Sequence, residues 1–341
     1  MLVIALLFSS VGSIAPAALA QGAPEPGSLR AMLQQTPLVR LGGDTLGAVT
    51  YANLALQAEL TGVAPPPDDR ESPATDAWLA AIGRMTVHSR AMFFLQPEWN
   101  EFFGFDLFDL DQVVEYSAPP TSLSLFRGRF DADDLVQRWQ AVGYQTRVTE
   151  AGTFYAIRGD FEIDVASEGS QMAMASANYL ALIAPDTIAF ASTEQLITEA
   201  VNLAEGNGTS FAGEINVASL LEGVPDTLVS GLIVSGTQLL ALGDPAEFLT
   251  EDPAELDPEA IATRMAEEAA AAAELPPLGL VLLGSTGGGP LGADDSGAAT
   301  PVAGMPEARA VAVVVTANDA AAWTVAEVVD RRLAGSSGGI T

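Results

Sequence analysis

Residues 123–158 read LSLFRGRFDADDLVQRWQAVGYQTRVTEAGTFYAIR, and the order of elements in this stretch decides the fold. Leu123 to Phe130 is an apolar, aromatic-rich run that predicts a strand. Asp131 is an N-cap type of residue with Asp134 three positions on, and both favour the positive end of a helix. Leu135, Val136, Trp139 and Val142 then recur at helical spacing, and Gly143 supplies the left-handed stop. Tyr144 to Glu150 and Thr153 to Arg158 flank Ala151-Gly152, which predicts a hairpin. Strand, helix and hairpin in succession belong to an α+β protein with an antiparallel or mixed sheet packed against helices.

The same vocabulary extends in both directions. Tyr179 to Ala184 and Thr187 to Ala191 form a second hairpin around Pro185-Asp186, and Thr193 caps a helix carrying Leu196, Ile197, Ala200 and Leu203. Thr227 to Val234 and Ala310 to Thr316 read as strands, and Asp319 leads a helix through Trp323, Val325 and Val328. Strand, acidic cap and helix thus occur at 123–142 and again at 310–333, which raises the expectation of two related halves. Upstream, the pattern predicts a strand at Ala48 to Tyr51, helices at Asn53 to Leu60 and Trp78 to Met85, and a buried strand at Val87 to Phe94.

The chain ends frame this core. Residues 1–20 are uncharged, begin with an apolar run and finish on Ala18-Leu19-Ala20, as a secretory signal peptide does. Membrane contact is expected only through this segment, should it stay uncleaved. Residues 21–43 are polar and proline-bearing and read as a flexible leader. The α+β domain is expected over 44–243, interrupted by an acidic Ala/Glu-rich helical insert at 244–276. It resumes over 277–335 with a Gly-rich loop at 284–306, and 336–341 is a tail.

The stretches FRGRFDADDLVQRWQAVGY, EAGTFYAIRG and NYLALIAPDTIAFASTEQLITEAV resemble uncharacterised secreted bacterial envelope proteins of α+β type. The resemblance lies in the order of elements over about 120–240 and 310–335. It implies a fold and an extracytoplasmic address, and it carries no site.

Composition removes several chemistries. The chain has 341 residues, no cysteine, one histidine and a formal charge of −30, and all 14 of its basic residues are arginine. Schiff-base and P-loop chemistry lack their lysine, and thiol catalysis and Cys-ligated zinc lack their cysteine. A nucleic-acid partner is excluded by the acidic balance, because phosphate binding needs cationic contacts. His88 stands without a nucleophile elbow and reads as a core histidine. The glycines of 287–292 satisfy G-x-G-x-x-G, but Pro290 blocks the helix that a dinucleotide site requires, so no cofactor is expected. Asp106, Asp109 and Asp111 form the one acidic cluster with metal-ligand character, a Ca²⁺ reading. The competing reading makes Asp109 and Gln112 a capping box ahead of Val113-Val114.

One window departs from the charge of the whole. Between Arg127 and Arg158 lie five arginines against four acids, interleaved with aromatics. Arg127 and Arg129 share a face if they lie on one strand, and the following hairpin brings Arg147 or Arg158 alongside. Guanidinium groups converging there would hold a carboxylate or phosphate. The competing reading pairs them with the chain's own carboxylates. The sequence therefore supports a secreted or envelope binding protein without catalysis, whose partner is another protein or a small anion. The alternatives are a secreted hydrolase using two carboxylates and a fragment of a longer envelope protein.

Overall fold

The computed structural model describes residues 8–10, 28–38, 46–66, 72–83, 85, 91–236, 275–287 and 309–336. His88, most of the signal-like segment, almost all of the Ala/Glu-rich insert, all but the start of the Gly-rich loop and most of the tail lie outside them.

One sheet organises the described chain, and the protein is α+β. Its strands are β1 (Phe8–Ser10), β2 (Ala48–Asn53), β3 (Leu110–Ala118), β4 (Thr121–Gly128), β5 (Gln145–Thr149), β6 (Gly152–Ala156), β7 (Tyr179–Ala184), β8 (Thr187–Ala191), β9 (Leu228–Ser235), β10 (Leu278–Thr286) and β11 (Ala310–Thr316). They lie in the order β1-β11-β10-β9-β2-β3-β4-β8-β7-β6-β5. Every neighbouring pair is antiparallel except β1 and β11, where the three residues of β1 run parallel along the edge. The strands on either side of the insert and the Gly-rich loop thus join one sheet, with β10 lying between β9 and β11.

Helices cover both faces. On one side lie α1 (Leu29–Gln35), α7 (Glu194–Ala204) and α8 (Ile215–Glu222), packed on an aliphatic surface that includes Val114, Leu125 and Ala189. The other side carries α2 (Leu54–Thr61), α3 (Pro73–Ile82), α4 (Pro97–Phe103), α5 (Ala132–Ala141) and α6 (Glu168–Ala173). Here the core is aromatic: Phe190 lies 5.0 Å from both Phe126 and Phe103, and 6.2 Å from Trp99. The two-residue period of a strand explains the division, since Val113 and Val114, or Leu125 and Phe126, point to opposite layers. A last helix, α9 (Asp319–Ser336), follows β11, so a hairpin followed by a helix occurs at β3-β4-α5, β7-β8-α7 and β10-β11-α9.

Local chemistry sets the ends of α5. Asp131 Oδ1 accepts hydrogen bonds from the amides of Asp133 and Asp134, both at 3.0 Å. Gly143 adopts φ +110 just after the helix, a conformation that favours glycine. Trp139 is fully buried and donates from its indole to the Phe103 carbonyl at 3.0 Å, which joins α5 to α4.

Three expectations are corrected. Part of the expected leader is α1, because Leu29, Met32 and Leu33 repeat at helical spacing and Ser28 caps the first turn. The described part of the strand expected at Val87 to Phe94 is a 3-10 turn, Ala91–Leu95, with Phe94 buried in the aromatic layer. The capping box is formed by Asp106 and Asp109 around the short turn Leu107–Asp109. Val113-Val114 then lie on β3, because both faces of that strand are covered and its apolar residues need not alternate.

Candidate functional site

The strand register places four polar residues in one row. Asn53 pairs with Gln112, Gln112 with Arg127, and Arg127 with Thr187, across β2, β3, β4 and β8. This row closes the end of the aliphatic layer: Gln112 is buried and donates to the Tyr51 hydroxyl at 3.2 Å. Burial pushes the Tyr51 hydroxyl well above the ordinary tyrosine range, against smaller opposing effects from Asn53, Gln112 and Arg127. Beside the row lies a concavity of about 420 Å³, lined by Glu59, Asp111, Arg127, Asp186 and Asp226 among others. Arg127 donates from Nε to Asp186 Oδ2 at 2.8 Å and is ion-paired there.

A second concavity, of about 470 Å³, lies at the other end of the molecule's antiparallel hairpins. It is bounded by Gln145 and Arg147 of β5, by Ala156 and the residues that follow β6, by Tyr179 of β7 and by Glu194 at the start of α7. Arg147 and Arg158 both line it. Arg158 is held at 3.2 Å from Asp164, whereas Arg147 has no ion-pair partner among the described residues. The hairpin register accounts for the meeting. Gln145 pairs with Ala156 and Arg147 with Phe154, so Gln145 and Arg147 occupy one face and Arg158 emerges just past the same end.

The four arginines of the sequence reading therefore do not converge. Arg147 and Arg158 come together, Arg127 faces the other concavity, and Arg129 is turned away to donate to the Phe108 carbonyl. Arg138, outside that set, forms a helical pair with Asp134 at 2.8 Å. Two strand positions apart did not suffice, because β4 ends at Gly128 and Arg129 has left the sheet.

The acidic cluster is also divided. Asp106 Oδ1 accepts from the Phe108 amide at 2.8 Å and Oδ2 from Asn100 at 3.2 Å, while Asp109 Oδ2 accepts from the Asp106 amide at 3.0 Å. These oxygens serve the backbone, and Asp111 lies at the register shift of β3 and lines the first concavity. Among the described residues, no group of three carboxylate or imidazole side chains is placed to hold a metal ion. No helix among them is long and apolar enough to cross a membrane.

Sequence reasoning missed Gln145, Tyr179 and Glu194. Each looks ordinary in its own segment, and only the β5-β6-β7 pairing assembles them; the hairpin register around Ala151-Gly152 was the available signal for Gln145.

No protein-family model matches the chain, and no curated protein matches it in sequence. A solved structure, crystal form I of TP0453, aligns over 72% of this chain and 70% of its own at 10% identity, with a TM-score of 0.30.

Proposed function

We propose that this chain is an extracytoplasmic, non-catalytic binding protein that takes a small anionic ligand between β5, β6 and α7. The observation that carries the reading is Arg147, a guanidinium without an ion-pair partner among the described residues, lining one concavity with Arg158. Its volume of about 470 Å³ falls within the range of small-molecule sites. In a chain of −30, a cation in a concavity without an ion-pair partner among the described residues is the feature least explained by the protein's own needs. The charge-free apolar N-terminal segment ending in Ala18-Leu19-Ala20 supports export.

Calorimetry on the purified chain with inorganic phosphate and with glutarate tests the site. Saturable binding that disappears in Arg147→Gln supports it. Absence of binding by both anions, or binding that survives Arg147→Gln and Arg158→Gln together, refutes it. Sequencing the N-terminus of the exported product tests the address, with Gln21 expected first, so that β1 is removed and β11 becomes the edge of the mature sheet.

A carboxylate-dependent hydrolase is the second reading, favoured by Glu59, Asp111 and Asp226 around the 420 Å³ concavity. It requires hydrolysis of a chromogenic glycoside by the purified chain, abolished in Asp111→Asn or Glu59→Gln.

A further inference from the structure

The concavity between β5, β6 and α7 is polarised. Its lining carries both signs of charge: the guanidinium groups of Arg147 and Arg158, and the carboxylate of Glu194, the first residue of α7. Glu194 has no side-chain partner among the described residues. Asp160 stands behind it: Oδ1 accepts from the Tyr179 hydroxyl at 2.7 Å and from the Glu194 amide at 2.9 Å. That second bond engages an amide at the α7 N-terminus, so a ligand anion is directed away from the helix and toward the arginines. The Tyr179 hydroxyl registers the local field. Burial raises it above the ordinary tyrosine range, and Asp160, Glu194 and Glu162 raise it further.

With Arg158 held by Asp164, the charges of the lining without a salt-bridge partner among the described residues are one guanidinium, Arg147, and one carboxylate, Glu194. Ala156 and Ile157 add apolar surface to the same lining. We infer that the ligand is a free α-amino acid in its zwitterionic form, its carboxylate on Arg147 and Arg158 and its ammonium on Glu194. This rests on the anion-site reading above and narrows it. Guanidinium suits the planar carboxylate, and an acceptor-only carboxylate suits the three donors of an ammonium.

The experiment compares each amino acid with the same molecule lacking its ammonium, by calorimetry on the full chain. The pairs are L-leucine with 4-methylpentanoate, and L-glutamate with glutarate. At least one amino acid is expected to bind tenfold or more tightly than its deaminated partner. Glu194→Gln is expected to reduce that amino acid's affinity at least fivefold while leaving the deaminated acid's unchanged or tighter. Arg147→Gln is expected to abolish both. Circular dichroism confirms that both variants fold; both side chains lie at the surface of the concavity. If each pair binds equally and Glu194→Gln moves neither member, the zwitterion assignment fails while the anion site stands. If the amino acids do not bind while glutarate or phosphate does, the result is the same. If none of these compounds binds, the anion site itself fails.

Discussion

Arg127 Nε lies 2.8 Å from Asp186 Oδ2, and this pair ties the end of β4 to the turn between β7 and β8. The other Asp186 oxygen accepts from the Thr187 hydroxyl at 3.0 Å, and the Asp186 carbonyl accepts from the Gly128 amide at 2.9 Å. Side-chain exposures of 24% for Arg127 and 45% for Asp186 leave the pair open to water. Its coupling is therefore expected to be small, about 0.5–1 kcal/mol. A double-mutant cycle with Arg127→Gln and Asp186→Asn, read by urea unfolding, checks this. A coupling beyond about 2 kcal/mol would show that the turn depends on the charge itself.

Leu33 of α1 is fully buried in the aliphatic layer, where the sequence alone had suggested a loose leader. Leu33→Ala is expected to cost about 2–5 kcal/mol, the range of a buried leucine truncation. An α1 that is dispensable would lose less than 1 kcal/mol in the same denaturation measurement.

Buried tyrosines give the stability a defined alkaline limit. Tyr144 donates to the Ala177 carbonyl, and burial raises its hydroxyl far above the ordinary 10.0, with Arg158 opposing weakly. Tyr51 and Tyr179 are raised in the same direction, again chiefly by burial. For a group raised on folding, the stabilisation is complete below the unfolded value and is lost as pH climbs above it. Above about pH 10 the unfolded chain releases protons that the native chain retains, so the melting temperature should fall from there upward. Tyr144→Phe should cost about 1–2 kcal/mol near neutrality, because the Ala177 carbonyl is left without its donor. Thermal melts from pH 7 to 11, with tyrosinate absorbance recorded alongside, test both statements.

Gly128 marks a close approach of two backbones. A Cβ there would lie 2.1 Å from the Asp109 carbonyl oxygen, next to the register shift of β3. The obstructing atom belongs to the main chain and cannot rotate away. Gly128→Ala is expected to cost about 3 kcal/mol. A melt within experimental error of the parent chain would show that the β3-β4 hairpin can slide.

Local signals travelled well from sequence to structure. The caps at Asp131 and Thr193 act within three residues of themselves, and the hairpins at Ala151-Gly152 and Pro185-Asp186 are set by their own turns. The apolar spacing predicted Leu135 and Trp139 of α5 and Leu196, Ile197 and Ala200 of α7 as buried, while Val136, Val142 and Leu203 are only half-buried and Val201 takes a core place instead. Where the signal was weaker than its surroundings, the reading failed. The seven residues of α1 form too short a period to stand out from a polar segment, and their helix depends on packing against α7 and the turn Phe211–Gly213.

By itself, the amino-acid sequence determined the class of the protein, most of its strands and helices, its acidity, and the residue types it lacks. Periodicity, caps, turns and composition are properties of neighbouring residues or of the whole inventory, and they need no fold to be read. Only the tertiary structure decided the order of the strands and which charges meet. Arg127 finds Asp186 across 59 positions, Tyr179 finds Asp160 across 19, and Arg147, Arg158 and Glu194 come to line one concavity through strand pairing and the packing of α7. Such meetings are fixed by sheet register and layer packing, which are cooperative over the whole chain and leave no mark on any single segment.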